Sequence, residues 1–200
     1  FGGRINGNVD AYYRKTSDLL NNITTPMGNN FSNTVISNVG NMKNMGVEFN
    51  LNFIPIEKQD MRWTINVNGT YQKTEITKLT NDDSTYLGVQ TGANMGGTGG
   101  YTSLHRVGYA PYTYYLYQQA YDENGKAIQN VLVDRDGDGN ITEADRYVTG
   151  KSITPKFFFG LSSQFTYKKW DFGFNAHGSF GGYALNRVAM NNSSAFSDDY

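Results

Sequence analysis

Residues 157–180 read FFFGLSSQFTYKKWDFGFNAHGSF. Phe157, Phe159, Leu161, Ser163, Phe165 and Tyr167 alternate with Phe158, Gly160, Ser162, Gln164 and Thr166. After Lys168-Lys169, the residues Trp170, Phe172, Phe174, Ala176, Gly178 and Phe180 alternate with Asp171, Gly173, Asn175, His177 and Ser179. A strict period of two argues for two strands, each with one apolar and one polar face. Folding the stretch at Lys168-Lys169 pairs Tyr167 with Trp170, Phe165 with Phe172 and Leu161 with Ala176, all on one face, as antiparallel pairing requires. Lys-Lys is a poor match for a two-residue hairpin turn, which favours Asn-Gly or Asp-Gly.

Three upstream segments alternate in the same way. Ile5, Gly7, Val9, Ala11 and Tyr13 oppose Asn6, Asn8, Asp10 and Tyr12; Val47, Phe49, Leu51 and Phe53 oppose Glu48, Asn50 and Asn52. Trp63, Ile65, Val67, Gly69 and Tyr71 oppose Thr64, Asn66, Asn68, Thr70 and Gln72. No apolar face carries a charge. Each segment is about 9–12 residues long, which suits a tilted strand crossing a bilayer, whereas strands of water-soluble proteins average about 5–6. The predicted strands cover about 3–14, 46–54, 62–75, 156–167 and 170–182. Their connections alternate: long at about 15–45 and 76–155, short at 54–62 and 168–169. Outer-membrane barrels have long loops outside and short turns inside, with an aromatic girdle at each interface. Phe53, Trp63, Tyr167 and Trp170 lie at the short-turn ends, and Tyr13, Tyr71, Phe157 and Phe180 at the long-loop ends. The predicted fold class is therefore all-β: an antiparallel transmembrane β-barrel with long extracellular loops. Five strands cannot close a barrel, which needs about eight, so the chain is expected to be a fragment of one.

Bulk properties agree. Among 200 residues there are 15 Tyr, 12 Phe and 23 Gly, a composition of strands and turns. Seventeen basic residues balance 18 acidic ones, which gives no electrostatic case for nucleic acid. The absence of Cys excludes a disulfide framework, a thiolate metal site and a Cys nucleophile. Mean hydropathy is −0.56, as expected where apolar and polar residues alternate and cancel in an average.

The sharpest local motif is Asp134-Arg135-Asp136-Gly137-Asp138-Gly139-Asn140-Ile141-Thr142-Glu143-Ala144-Asp145. It follows the D-x-D-x-D-G calcium-loop pattern. Asp134, Asp136 and Asp138 stand at loop positions one, three and five; Gly139 supplies the sharp turn at six. Asn140 offers its backbone carbonyl, Ile141 is expected to pack inward, and Thr142 reaches the ion directly or through water. Asp145 stands at position twelve, where the longer Glu is usual and closes the site with two oxygens. Calcium bound here would order a long exterior loop; the plainer reading is an Asp/Gly turn that holds no ion.

Other motifs carry less. His105 and His177 have no partners in sequence, and Asp10, Glu48 and Asp171, all on polar faces, form no hydrolytic carboxylate pair. No Ser lies in a nucleophile elbow, so no enzyme activity is predicted. The Tyr-rich run 109–117 either packs a loop or stacks on sugars or peptides. Residues 95–100 form a Gly-rich loop without the Lys-Ser/Thr of a phosphate cradle, and Asn124-Gly125 marks a hairpin turn between residues 121 and 126.

Several segments resemble the barrel of SusC/RagA-type TonB-linked outer-membrane transporters: Phe1–Ile5 with Asp10–Leu20, Asn38–Met42 with Asn44–Glu48, and Val107–Pro111 leading into Asp134–Asp145. The resemblance runs over nearly the whole chain and points to the C-terminal part of the barrel. It implies a Gram-negative outer membrane and a barrel of about 22 strands around an internal plug. It also implies import of glycans or peptides under a SusD-like surface lipoprotein, with energy delivered through TonB to an N-terminal part not included here. No substrate-contacting residue follows from it. The alternative is a soluble, secreted, calcium-stabilised β-sandwich that binds carbohydrate. It leaves the charge-free, membrane-length faces unexplained.

Overall fold

The computed structural model describes residues 2–24, 34–79, 86–95 and 100–188. The wall is one antiparallel sheet of five neighbouring strands: β1 (Ile5–Thr24), β2 (Thr34–Lys58), β3 (Met61–Lys78), β10 (Phe157–Tyr167) and β11 (Trp170–Phe180). Between β3 and β10 lies an outer module. Its four-stranded sheet has β4 (Val89–Asn94), β5 (Tyr101–His105), β6 (Thr113–Leu116) and β9 (Tyr147–Ser152), and its hairpin has β7 (Gln119–Tyr121) and β8 (Ala127–Leu132).

The predicted register holds. Tyr167 pairs with Trp170, Phe165 with Phe172 and Leu161 with Ala176. The two-residue turn is possible because Lys168 adopts φ +52, in the left-handed region. Across the whole wall, apolar positions fall on one face: Leu51 pairs with Val67, Val67 with Leu161, and Leu161 with Ala176. The other face is a row of amides and hydroxyls, Asn6–Asn52–Asn66–Ser162–Asn175, with Asn66 Nδ2 donating to Asn50 Oδ1 at 2.9 Å. The eleven residues of β10 span about 33 Å, or about 24 Å of height at a 45° tilt, the height of a barrel's apolar band. Aromatic pairs mark both margins: Phe157 with Phe180 at 6.4 Å between ring centroids, and Trp170 with Phe172 at 6.4 Å. Trp63 donates its indole N–H to Ser163 Oγ at 2.9 Å, so its polar tip is satisfied on the apolar face.

Among the described residues, no second sheet covers the apolar face. Phe174 is 57% exposed, and Phe49, Val67 and Leu161 are only half-buried. The buried apolar side chains among the described residues are Ile76, Leu79, Leu104, Tyr114 and Tyr115, at the outer end of β3 and in the module. A sandwich would bury the wall residues instead, so that alternative fails.

Three predicted boundaries are corrected. Residues 15–24 and 34–45 are strand, not loop: β1 and β2 continue as a long hairpin beyond the girdle. Bulges near Asp18 (φ +61) and Gly40 interrupt its register. Alternation reveals a strand only where its two faces meet different surroundings, and beyond the bilayer both faces are wet. The connection 54–62 shrinks to a turn at Gln59-Asp60, because β2 accommodates Pro55 in a bulge between Phe53 and Ile56. The predicted exterior loop 76–155 contains, among its described residues, the two small sheets; the Asn124-Gly125 hairpin is present there, with Gly125 at φ +77.

Glycines on the apolar face receive neighbouring rings. A Cβ on Gly69 would lie 2.5 Å from Phe49 Cε1, and one on Gly178 would lie 2.5 Å from Phe159 Cε1. Each pair is directly cross-strand, so the ring covers backbone that the glycine leaves bare. Gly69→Val is expected to destabilise the wall by about 1–3 kcal/mol through overpacking. Urea unfolding from lipid vesicles reads this, and adding Phe49→Leu should restore part of the loss.

Candidate metal centre and its buried arginine

The Asp-rich loop leaves β8 and ends in a 3₁₀ turn, Glu143–Asp145, capped by Thr142. Gly137 (φ +76) and Gly139 (φ +82) allow the chain to wind tightly, a conformation that side chains with Cβ resist. The winding brings carboxylate oxygens of Asp134, Asp136 and Asp138 within 4.8 Å of one another. Asp134 accepts backbone N–H bonds from Gly137 at 2.6 Å and Gly139 at 2.8 Å. Asp138 accepts from Asn140 N at 2.7 Å. The Asp138 N–H draws the Asp136 carboxyl down, but desolvation and the charges of Asp138, Asp145 and Asp134 outweigh it and hold the carboxyl above its ordinary value. Three crowded hard-oxygen donors of like charge are the chemistry a calcium ion satisfies.

The remaining predicted ligands divide. Asn140 lies in the exposed turn, with Nδ2 donating to the Asp138 carbonyl at 3.4 Å. Thr142 Oγ1 is engaged as the cap, accepting from Ala144 N at 3.3 Å. Asp145 is fully buried and its two oxygens accept from Arg135 N at 2.6 Å and Thr142 N at 2.7 Å. The N–H groups of Thr142 and Arg135 hold its carboxyl below the usual range. In this conformation Asp145 ties the two ends of the loop together. Ile141 does not pack inward: it is 45% exposed, because the loop stands on the surface and residues 135–144 are exposed throughout.

The residue that sequence reasoning missed is Arg146. It is 5% exposed and follows the buried Asp145 directly. Its guanidinium donates to the carbonyls of Tyr101 and, at 2.7 Å, Tyr115, and its carbon lies 4.1 Å from the centre of the Tyr115 ring. Glu143 Oε1 stands 3.6 Å from Nη1 but is itself exposed. Arg146 thus joins β5 and β6 beneath the acidic loop. Arg135 adds a second tie, reaching Gln118 Oε1 at 2.7 Å and stacking 4.7 Å over Tyr147. In sequence, Asp145-Arg146 is an unremarkable charged pair; the only signal was its place at the end of the motif.

The Tyr-rich run splits between its two readings. Tyr114 and Tyr115 are buried, whereas Tyr112 is 42% exposed at φ +56, edge-on to His105 at 4.6 Å. Burial holds the His105 imidazole below its ordinary value. On the wall, the register sets Asp10 across from Glu48 on the polar face, a pairing not evident from sequence. Both are exposed, and like charges directly opposite each other are unfavourable. His177 lies on the same polar face, across from Gly160.

No family model matches the chain. Among known proteins, it is 39% identical over 98% of its length to the TonB-dependent receptor SusC of Bacteroides thetaiotaomicron. It is 30% identical over 95% of its length to the TonB-dependent receptor P3 of Formosa agariphila. The chain spans about a fifth of the length of these relatives: 20% of each. Among solved structures, the RagAB peptide importer in its open-open state superposes with a TM-score of 0.68 at 23% identity, over 91% of this chain and 19% of that one. The RagAB peptide transporter gives 0.63 at 24% identity, over 88% and 19%. These likenesses support the fold. With the alternating wall and the identity to SusC, they place this chain in the SusC/RagA family of TonB-dependent receptors, as a stretch of its antiparallel barrel.

Proposed function

We propose that this stretch forms wall and outer vestibule of a Gram-negative outer-membrane importer. The importer would take up glycans or peptides, with TonB supplying energy and a SusD-like surface lipoprotein as lid. The observation that carries the reading is the wall itself: five neighbouring strands with a face free of charge between the two aromatic girdles, backed by a face of Asn, Ser and Thr. Such a sheet separates lipid from an aqueous lumen. The related proteins are named receptors and peptide importers, not enzymes, and no catalytic step is assigned to this chain. Cells carrying the receptor should accumulate a labelled oligosaccharide or oligopeptide and lose that uptake when either TonB or the surface lipoprotein is deleted. Unchanged uptake in both deletions would reject the reading.

The acidic loop fits calcium as a structural ion. Asp134, Asp136 and Asp138 would hold it, with the Asn140 carbonyl and, after rearrangement of the cap, Thr142 and Asp145. Bound there, the ion would neutralise the crowded carboxylates and stiffen the loop toward the lid. Calorimetry should show calcium binding that disappears in the double variant Asp136→Ala with Asp138→Ala. Equal heats from both proteins would remove calcium from the account.

A further inference from the structure

β3 outlasts its neighbour. β10 begins at Phe157, opposite Tyr71, while β3 runs on to Lys78. Beyond Tyr71, among the described residues, backbone bonds bridge the edge of β3 at Gln72 and Ile76: Gln72 N donates to Lys156 O at 2.8 Å, Ile76 N donates to Tyr109 O at 2.9 Å, and Ile76 O accepts from Gly108 N at 2.9 Å. Thr74, midway, has their parity, so its N–H and C=O point toward the same edge. Among the described residues no backbone bond closes that edge at Thr74. The gap is a cavity of about 260 Å³, lined in part by Lys73, Glu75, Tyr109, Pro155 and Lys156.

The position of this slot is as informative as its lining. Lys73 and Glu75 share the parity of Tyr71, so they lie on the lipid-facing side, one and two positions above the girdle. Lys43 pairs with Glu75 at 2.8 Å, and Lys15 stands opposite Lys43 on β1. Lys73 lies 3.7 Å from the same Glu75. Two lysines therefore share one carboxylate on the outer surface at headgroup height, a third stands beside Lys43, and the exposed Lys156 borders the same slot.

We infer that this slot in the wall binds the phosphate headgroup of an anionic lipid in the outward-facing leaflet. Excess positive charge, an open backbone N–H and a cavity meet where phosphates of that leaflet would stand, directly above the aromatic girdle. The inference rests on the membrane reading proposed above. The test uses the complete receptor in nanodiscs of phosphatidylcholine containing either diphosphorylated lipid A or its dephosphorylated form, with retained lipid counted by native mass spectrometry. Preferential retention of the phosphorylated lipid is expected. Lys43→Gln with Lys73→Gln should weaken it by about fivefold for each lysine removed, while Lys169→Gln at the opposite rim should leave it unchanged. Equal retention of the two lipids, equal retention by the double variant, or displacement by inorganic phosphate would overturn the inference. A receptor that inserts into nanodiscs and gives one of those results sinks this inference alone; one that does not insert sinks the membrane reading as well.

Discussion

Arg146→Met is expected to unfold the outer module while leaving the wall assembled. The guanidinium is buried, and the Tyr101 and Tyr115 carbonyls that accept from it are main-chain groups of the module sheet. Methionine fills the volume but donates nothing, so both carbonyls lose a donor, the Tyr115 carbonyl where it is buried from water. Leaving a buried acceptor without its donor costs about 1–3 kcal/mol for each group. The exposed Glu143 contributes little by comparison, since an ion pair open to solvent is worth about 0–1 kcal/mol. Arg146→Lys should fall between: the charge remains, but the fork that serves two carbonyls at once is lost. Hydrogen exchange reads the result directly. β5 and β6 should lose protection in Arg146→Met, whereas β10 and β11 should keep theirs; unchanged protection in β5 would show that the guanidinium does not hold the module together.

Leu161→Arg and Ser162→Arg should differ sharply although they are neighbours in β10. Leu161 lies mid-strand on the apolar face between Val67 and Ala176, and Ser162 on the polar face between Asn66 and Asn175. An arginine at the bilayer midplane of a barrel costs about 2–4 kcal/mol. On the lumen side the same residue meets water and amides, and the cost should be near zero. Unfolding of the two variants from vesicles in urea measures the difference. Equal destabilisation, or a larger effect at Ser162, would reverse the assignment of the two faces and with it the barrel.

The wall was legible because its physics is local. Each strand carries its own alternation, and the pairing across Lys168-Lys169 follows residue by residue from that alternation. The acidic loop was legible for a related reason: its three clustered carboxylates come from five consecutive residues. Legibility stopped where surroundings no longer imposed a pattern. The outer halves of β1 and β2 lie beyond the girdle, where no lipid face imposes an alternation, so nothing in the sequence of 15–24 or 34–45 distinguishes strand from loop. The strand predicted over 46–54 runs on to Lys58 because Pro55 sits in a bulge, and a bulge depends on the partner strand, which the residue itself does not reveal.

The chain alone thus determined an antiparallel wall with a lipid-facing and a lumen-facing side, since a repeat of two residues follows from backbone geometry and from contrast between the two environments. Tertiary structure alone decided the roles of Arg146 and of the slot beside Thr74. Arg146 reaches carbonyls 45 and 31 residues away, and the slot is framed by β3, residues 108–109 and residues 155–156. Contacts between such distant segments depend on how the whole module folds back over the end of β3, and no local spacing records that.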